Sequence, residues 1–358
     1  MRARRPARAA IRRPAVAIAG AVIAAIAAAG CGPAGAHQRA SASGSAVAAS
    51  VPPSQAELAP IAAYRDAVTT ALADHLRVWI EADLVKRWQQ GSASFHAAVG
   101  RVAALADRPG VVGIKVADEL GYKDGMDSAA RIRQFLSETA SALHAAAPGK
   151  LILIDMVVPQ LGCMPGHQAA ASAAAACATM AESAYPQLAL PAVDSYLRLR
   201  AIDVLDLSTG LLSDSTYAAW GATAAAAQQA AWQEVNRRGW PHLVRLQARK
   251  ALAHPGDYPG TAAQAAADVH VFVSIPLTSG AHAVDIWTWH QEYDGQMYQL
   301  MNSGMRTNAL WDQLEQLRRA GDVLFTHMSP HSVESGLSAD LAAIATVFTD
   351  VFLPAGTG

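Results

Sequence analysis

The sequence predicts a closed barrel of parallel β-strands, each followed by a helix. Helical stretches alternate with seven short β-rich runs, which is the pattern of consecutive βαβ units. The runs are also apolar on one face only: in residues 111–119, Ile114 and Val116 share one face, while Lys115 and Glu119 share the other. Strands of an open, doubly wound sheet are apolar on both faces, so one-sided strands favour a (β/α)8 barrel with polar groups in its lumen.

Each predicted strand precedes a predicted helix. The seven β-rich runs are RVWIEAD, VVGIKVADE, LILIDMVV, IDVLDLS, HLVRLQAR, AVDIWTW and DVLFTHMS. Helices are expected near 56–73, 93–107, 127–147, 215–238, 261–278, 308–320 and 338–353, and the sequence TAAQ at Thr261 is a capping box. An eighth strand is not evident. The sequence PQLAL is a candidate for it, and a barrel of seven strands is the alternative.

The charged residues in the middle of the strands suggest a buried network. Lys115 shares a face with Glu81 and Asp285 if all three point into the lumen, where charges from different strands can pair. Such a network can also have a purely structural role, so these charges alone do not indicate catalysis.

The N-terminal region is expected to lie outside the fold. Residues 1–30 combine a basic start, an apolar stretch and the sequence AAGC, and they resemble a bacterial lipoprotein signal with Cys31 as the lipidated residue. An uncleaved membrane anchor is the alternative, although the stretch is short for a spanning helix. Residues 31–55 are rich in Ser, Pro and small residues and are expected to form a flexible tether. The barrel domain is then residues 56–358, exported and held at the outer face of the cell membrane.

The other two cysteines fit that oxidising compartment. Cys163 and Cys177 form an even pair once Cys31 is lipidated, so a disulfide is expected, with two free thiols as the alternative. No metal site is expected, because His and Cys do not occur at zinc-ligand spacing.

Composition excludes some partners. The chain has a net charge of −1 without a basic excess, so nucleic acid is not expected as a partner. No phosphate-binding glycine loop and no Gly-x-Ser-x-Gly motif occurs. We expect no cofactor and a monomer.

Acidic and aromatic residues collect at the carboxyl ends of the predicted strands, where barrel active sites lie. Paired carboxylates suit glycoside hydrolysis, and indoles offer stacking surfaces for sugars. The alternation of side chains along residues 111–119 selects Glu119 over Asp118 for the lumen, so Glu119 is the expected general acid, with Asp155 or Asp206 as its partner. The other candidates, for substrate binding, are Glu81, Asp83, Asp118, Tyr122, Gln247, Arg249, Asp285, Trp287, Trp289 and His290.

With KVADELGY ending a strand in a glutamate and VDIWTWHQEY as a late aromatic strand, residues 75–355 resemble the (β/α)-barrel glycoside hydrolases. The resemblance implies an enzyme that cleaves a poly- or oligosaccharide, and the lipoprotein-like signal makes it an exported, lipid-anchored one. It departs from the pattern at Asp118, where many such enzymes have Asn, and at the late strand, which lacks a second glutamate. A carbohydrate- or solute-binding lipoprotein without catalysis is the alternative, and a structural cell-wall protein is the third.

Two rim histidines and one long loop have simple structural interpretations. His327 and His331 are expected to be hydrogen-bonded residues of the rim and not metal ligands. Residues 291–308 form a long excursion before the next helix, so they are expected to form a lid or the wall of a substrate groove.

Overall fold

The computed structural model describes residues 55–122, 124–164, 166, 171–240, 244–247 and 252–355, apart from the side chains of 55–61 and 244–247. The predicted signal sequence, most of the tether, the lipidation candidate Cys31 and the rim candidate Arg249 lie outside these residues. Gln247 lies in a described strand, but its side chain does not belong to the description.

Eight parallel strands close into a barrel, which confirms the fold class that the sequence predicts. In the order of the chain they are β1 Arg77–Glu81, β2 Val111–Ala117, β3 Leu151–Val157, β4 Val204–Ser208, β5 Val244–Gln247, β7 Val284–Ile286, β10 Leu324–His327 and β11 Asp350–Pro354. β1 pairs with both β2 and β11, and this closes the ring.

The eighth strand is not where the sequence suggested it. Within PQLAL, residues Pro186–Leu188 form a 3-10 helix, and the closing strand is β11 at the end of the chain. The expected helix over 338–353 is shorter, Leu337–Val347, because the chain becomes extended at Phe348. An apolar helix followed at once by an apolar strand leaves no Gly or Pro between them to mark the change.

The helices surround the barrel. They are α1 Gln55–Ala73, α2 Val85–Gln89, α3 Ser92–Ala106, α4 Ala129–Ala146, α5 Pro159–Gly162, α6 Ala171–Ala184, α7 Leu190–Leu197, α8 Asp214–Ala219, α9 Ala224–Arg238, α10 Ala262–Val269, α11 Ile275–Thr278, α12 Ala309–Ala320 and α13 Leu337–Val347. A π-helical turn, His270–Ser274, joins α10 to α11. The capping box at Thr261 is present. Among the described residues, no helix has both the length and the apolar character needed to cross a membrane.

Alternate residues of the strands enter two separate cores. Val78, Ile114 and Ile286 belong to the large outer core between the barrel and its helices. The lumen has its own apolar layer at the end where the strands begin, formed by Trp79, Leu153, Val204, Ala283, Phe325 and Phe352. This separation is the physical result of the one-sided strand pattern.

Gly113 makes room for the large residue of that layer. A Cβ at Gly113 would lie 2.6 Å from the indole ring of Trp79 and 2.4 Å from the carbonyl oxygen of Leu151. Trp79 is fully buried, and its Nε1 donates to Asp350 Oδ1 at 2.9 Å. The base of the lumen is therefore filled by side chains, and any site must lie towards the other end.

The excursion after β7 contributes two strands, β8 His290–Tyr293 and β9 Gln296–Gln299, to a small antiparallel sheet. The third strand of that sheet is β6 His254–Pro255, which precedes β7 in the chain. β8 and β9 form a hairpin through Asp294 and Gly295, both of which have positive φ. The predicted lid or wall is thus an ordered hairpin beside the carboxyl end of β7.

The disulfide expected between Cys163 and Cys177 is present, with Cα atoms 5.6 Å apart. It joins the end of α5 to α6 outside the barrel. It lies beside the loop after β3 and not in the lumen.

Candidate active site at the barrel mouth

A layer of charged side chains lies above the apolar layer of the lumen, at the carboxyl end of the strands. Its centre is Lys115, whose Nζ lies 2.7 Å from Glu81 Oε1, 3.0 Å from Asp118 Oδ1 and 3.9 Å from Asp155 Oδ2. The ammonium is buried and lies 5.5 Å from the centre of the Phe352 ring. The ion pair of Lys115 with Glu81 confirms the buried network that the sequence suggested.

His327 connects this ammonium site to the opposite side of the lumen. Its Nδ1 lies 3.1 Å from Glu81 Oε2, its Nε2 lies 2.8 Å from Asp285 Oδ2, and its ring stacks on Phe352. Each ring nitrogen faces a carboxylate, so the hydrogen bonds require a proton on both nitrogens.

The charges of this network stabilise one another. Burial opposes the charged form of His327, but the carboxylates of Asp285 and Glu81 raise its pKa to about 9. Burial likewise opposes ionisation of Glu81, but Lys115 and His327 lower its pKa to about 2. Glu81 and His327 are therefore both ionised at neutral pH and form an ion pair.

Asp206 is the exception within the layer. Burial, followed by the charges of Asp285 and Asp155, raises the pKa of Asp206 well above its usual value. Neither of its carboxylate oxygens receives a hydrogen bond from the described residues. A proton on Asp206 allows it to donate to Asp285. Burial opposes ionisation of Asp285, but the charge and hydrogen bond of His327, the hydrogen bond from Asp206 and the charge of Lys115 together lower its pKa. Arg245 pairs with Asp206 in the register of β4 and β5, and its side chain is not among those described.

The structure corrects the assignment of the two adjacent acids at the end of β2. The sequence assigned Glu119 to the lumen and Asp118 to the following loop, but it is Asp118 that binds Lys115. The alternation of side chains cannot be extended to these residues, because β2 ends at Ala117 and its register with β3 already shifts after Lys115.

The backbone conformation of Glu119 sets the direction of the chain after β2. Its φ is 48°, a left-handed conformation that is uncommon outside glycine and often occurs at functional sites. Its N–H lies 3.4 Å from Asp155 Oδ2, and the N–H of Leu120 donates to the carbonyl oxygen of Asp155 at 2.8 Å. The left-handed turn is thus held by β3, and it places Asp118 next to Lys115.

The partners expected for Glu119 are in the lumen, but below its opening. Asp155 and Asp206 are adjacent in the register of β3 and β4, and both are fully buried. By contrast, the Glu81 side chain is 20% exposed and the Asp118 side chain 52% exposed. Of the acids that contact Lys115, Asp118 is therefore the most accessible to a molecule at the mouth.

Two of the residues expected to bind substrate are structural. Tyr122 is buried, and its ring packs 4.7 Å from that of Tyr185. Trp289 is 2% exposed, donates through Nε1 to Asp340 Oδ2 at 2.8 Å and packs on Trp311. Both lie in the outer core, because the strands end before these positions and the lumen alternation does not reach them.

The remaining rim candidates lie on the loops and on the hairpin at the mouth. Asp83 is exposed, and its Oδ1 accepts a hydrogen bond from the N–H of Val85 at the start of α2. Trp287 forms a half-buried aromatic wall with Tyr293 and Tyr298 of the hairpin, with ring centres 5.6–5.9 Å apart. His290 is buried against the loop that follows β10, with Nε2 3.0 Å from Glu334 Oε2.

Sequence reasoning underestimated the central residues. Lys115 was recognised only as a member of a lumen network and His327 only as a rim residue, yet together they organise the layer. Their positions in the strands could have indicated this. Lys115 lies two residues after Gly113 and His327 two residues after Phe325, and alternate residues of a strand face the same side, here the lumen. In the part of the chain that the structure describes, no group of three His, Cys, Asp or Glu residues is arranged to hold a metal ion.

Comparison with known proteins identifies no family. No family model and no curated protein matches the chain. Among solved structures, the carboxyl transferase domain of Rhizobium etli pyruvate carboxylase with pyruvate and biocytin is 12% identical, with a TM-score of 0.41, over 78% of this chain and 40% of that one. The complete multifunctional pyruvate carboxylase of the same organism is 11% identical, with a TM-score of 0.41, over 81% of this chain and 24% of that one. The chain spans less than half the length of these proteins, and the similarity concerns the fold alone.

The expectation of a glycoside hydrolase is wrong. The site departs from the expected pair of carboxylates, since Asp155 and Asp206 are fully buried below the mouth. A glycosidic bond must lie between two accessible carboxyl groups, and neither proposed partner of Glu119 is accessible.

Proposed function

We propose that the protein is an enzyme that transfers protons to and from a small carbonyl or hydroxyl compound bound at the barrel mouth. One observation carries the proposal: the buried ammonium of Lys115 is hydrogen-bonded to Asp118, whose carboxylate is half exposed. Proton abstraction beside a carbonyl group commonly uses a carboxylate that removes the proton and a neighbouring cation that stabilises the anion formed.

Each residue has a separate role in this proposal. Asp118 accepts a proton from the substrate carbon, and the electron pair of that C–H bond moves towards the carbonyl oxygen. The ammonium of Lys115 is buried directly behind Asp118, and its positive charge stabilises the negative charge that develops on the oxygen. Glu81, held by His327, keeps the ammonium in place. A charge fixed in advance in a buried site stabilises the transition state without reorganisation at the moment of reaction.

The geometry favours Asp118 over its neighbours as the base. Glu81 accepts hydrogen bonds from both Lys115 and His327, and its pKa of about 2 makes it a poor proton acceptor. Asp155 and Asp206 are fully buried. Glu119 supports the turn that positions Asp118, so it is a positioning residue.

The proposal includes the place where the enzyme acts. The AAGC sequence and the Ser- and Pro-rich residues after it support an exported enzyme that is attached to the outer face of the cell membrane through lipid on Cys31. An enzyme in that position meets its substrate outside the cell membrane.

Hydrogen exchange with solvent tests the reaction without knowledge of the substrate. The full chain is incubated in D2O with a panel of small carbonyl and polyhydroxy compounds, and loss of C–H signals is followed by proton NMR. We expect at least one compound to exchange, and Asp118→Asn to slow this exchange by about 10²–10⁴-fold.

Asp107→Asn is the matched control, because Asp107 is exposed after α3, at the end of the barrel where the strands begin. It should exchange the same compound at the wild-type rate. Exchange that persists unchanged in Asp118→Asn would refute the assignment of the base. A panel without any enzyme-dependent exchange would refute the reaction class.

A further inference from the structure

A serine, a histidine and a glutamate meet on the rim, outside the charged layer of the lumen. Ser332 Oγ lies 3.4 Å from His290 Nδ1, and His290 Nε2 lies 3.0 Å from Glu334 Oε2. His290 belongs to β8, whereas Ser332 and Glu334 belong to the loop between β10 and α13. A hydroxyl on one nitrogen of an imidazole and a carboxylate on the other is the arrangement that activates a nucleophilic serine.

We propose that Ser332, His290 and Glu334 form a second catalytic site, in which Ser332 is the nucleophile towards carboxylic esters. This site goes beyond the proton transfer proposed above, since it uses none of the same residues. It is defined by the contacts of His290 on both of its nitrogens.

His290 has a partner for each protonation state. In the neutral form, Nε2–H donates to Glu334, and Nδ1 accepts from the hydroxyl of Ser332. After His290 has taken the serine proton, Nδ1–H can donate to the carbonyl oxygen of Ser332, which lies 3.2 Å away. A general base needs support in both forms, and the same short loop provides it.

Glu334 is held firmly enough to orient the ring. Its Oε1 accepts a hydrogen bond from the N–H of Gly304 at 2.6 Å, and its own N–H donates to Asp340 Oδ2 at 2.7 Å. Trp289 and Met305 line a small cavity together with His290 and Glu334. Glu334 is thus the positioning residue that selects the Nε2–H form of the imidazole.

The serine lies where a substrate can reach it. Ser332 is half exposed, while His290 is only 8% exposed. The N–H of Val333 makes no hydrogen bond within the described residues, so it can donate to the oxygen of a bound acyl group. The residue after the nucleophile provides this donor in many serine hydrolases.

The reaction needs only water besides the ester. The Oγ of Ser332 forms a bond with the acyl carbon as its proton passes to His290, and the bond to the leaving alcohol breaks as His290 returns that proton to it. Water, deprotonated by His290, then attacks the acyl-serine, and the carboxylic acid leaves as Ser332 regains its proton. Atoms and charges balance in both halves.

A fluorophosphonate probe tests the site without a known ester. Attack by Oγ expels fluoride and leaves a stable phosphonyl group, which mass spectrometry locates on a peptide. We expect Ser332 to be labelled in the folded full chain and not in urea. His290→Asn should slow labelling by about 10²–10⁴-fold. Ser338→Ala, an exposed serine on α13, is the matched control and should leave the rate unchanged.

The pH profile separates catalysis from a structural role for the contacts. Labelling should rise with pH and then level off, as for a serine activated by a general base, and Glu334→Gln should change that profile. A rate that rises continuously with pH, as for an ordinary serine, would overturn the proposal even if His290→Asn fails to fold. So would absence of label at Ser332, or equal labelling of His290→Asn.

Discussion

The Nε2 atom of His327 donates to Oδ2 of Asp285 at 2.8 Å, and this contact ties β10 to the neighbouring strand β7 inside the lumen. The other nitrogen of the same ring faces Glu81 across the lumen. A single imidazolium therefore links strands that are far apart in the chain, and the stability of the barrel becomes coupled to its proton.

We predict that stability falls at alkaline pH because of His327. Its pKa is about 9 in the folded protein, above the value of about 6.5 in an unfolded chain. The folded state thus holds the proton more tightly, so the stabilisation is complete below about pH 6.5 and disappears as the pH rises through about 9. Its size is on the order of 3 kcal/mol. Urea unfolding at pH 6 and pH 9.5 measures it.

His327→Gln is the control for that pH dependence. The variant keeps a hydrogen-bond donor but does not titrate, so its free energy of unfolding should change much less between the two pH values. Equal losses in wild type and variant would show that other groups cause the alkaline destabilisation.

The second prediction concerns Lys115. Lys115→Met removes the ammonium and leaves Glu81 and Asp155 without their cation in a buried site, which typically costs about 3–5 kcal/mol. Lys86→Met, at an exposed position of α2, should change the free energy of unfolding by less than about 0.5 kcal/mol. Denaturant unfolding of both variants measures the two changes in the free energy of unfolding. Similar small losses would mean that the network does not stabilise the fold.

The sequence was sufficient to predict the barrel and its polar lumen. Apolar residues such as Ile114 must face the helices, and Lys115, one position away, must then face the lumen, because side chains alternate along a strand. Pairing with Glu81 follows, since a buried ammonium needs a carboxylate. These are local rules, and the structure obeys them from Gly113 to Val116.

The details of the site depend on residues beyond the strand ends, where the alternation of side chains no longer applies. The strand ends one residue before Asp118, and Glu119 adopts a left-handed conformation that is uncommon for glutamate. Contacts with β3 impose this turn, and no pattern within β2 indicates it. The same holds for Ser332 and His290, which are distant in sequence and meet only because β7 and β10 are neighbours.

The third prediction concerns the disulfide. The loop closed by Cys163 and Cys177 spans 14 residues, so its loss should lower the free energy of unfolding by about 3 kcal/mol. Denaturant unfolding of a Cys163→Ala, Cys177→Ala double variant measures this. In the wild type, both cysteines should resist alkylation after denaturation unless reductant is added. Labelling without reductant would show that the bond does not form.

The fourth prediction uses the left-handed backbone at Glu119. Glycine adopts this conformation without steric cost, so Glu119→Gly should keep the free energy of unfolding within about 1 kcal/mol of wild type or raise it. The new freedom of the chain should nevertheless displace Asp118 and reduce hydrogen exchange of the substrate.

Arg200→Gly is the matched control for Glu119→Gly. Arg200 also has a positive φ, 53°, but it lies before β4 at the opposite end of the barrel. It should show a similar effect on stability and normal exchange. If Glu119→Gly leaves exchange at the wild-type rate, the turn does not position the catalytic group.

The last prediction concerns attachment to the membrane. The small residues before Cys31 match the site at which a lipoprotein signal is cleaved, so the mature protein should begin at a lipidated Cys31 and be recovered with membranes. Cys31→Ser should leave the precursor uncut or release the protein, whereas Cys163→Ser should not alter its fractionation, because Cys163 lies beside the barrel and is bonded to Cys177. Fractionation of cells followed by mass spectrometry of the N-terminus distinguishes these outcomes. Membrane recovery of Cys31→Ser with a normally processed N-terminus would contradict the lipid anchor.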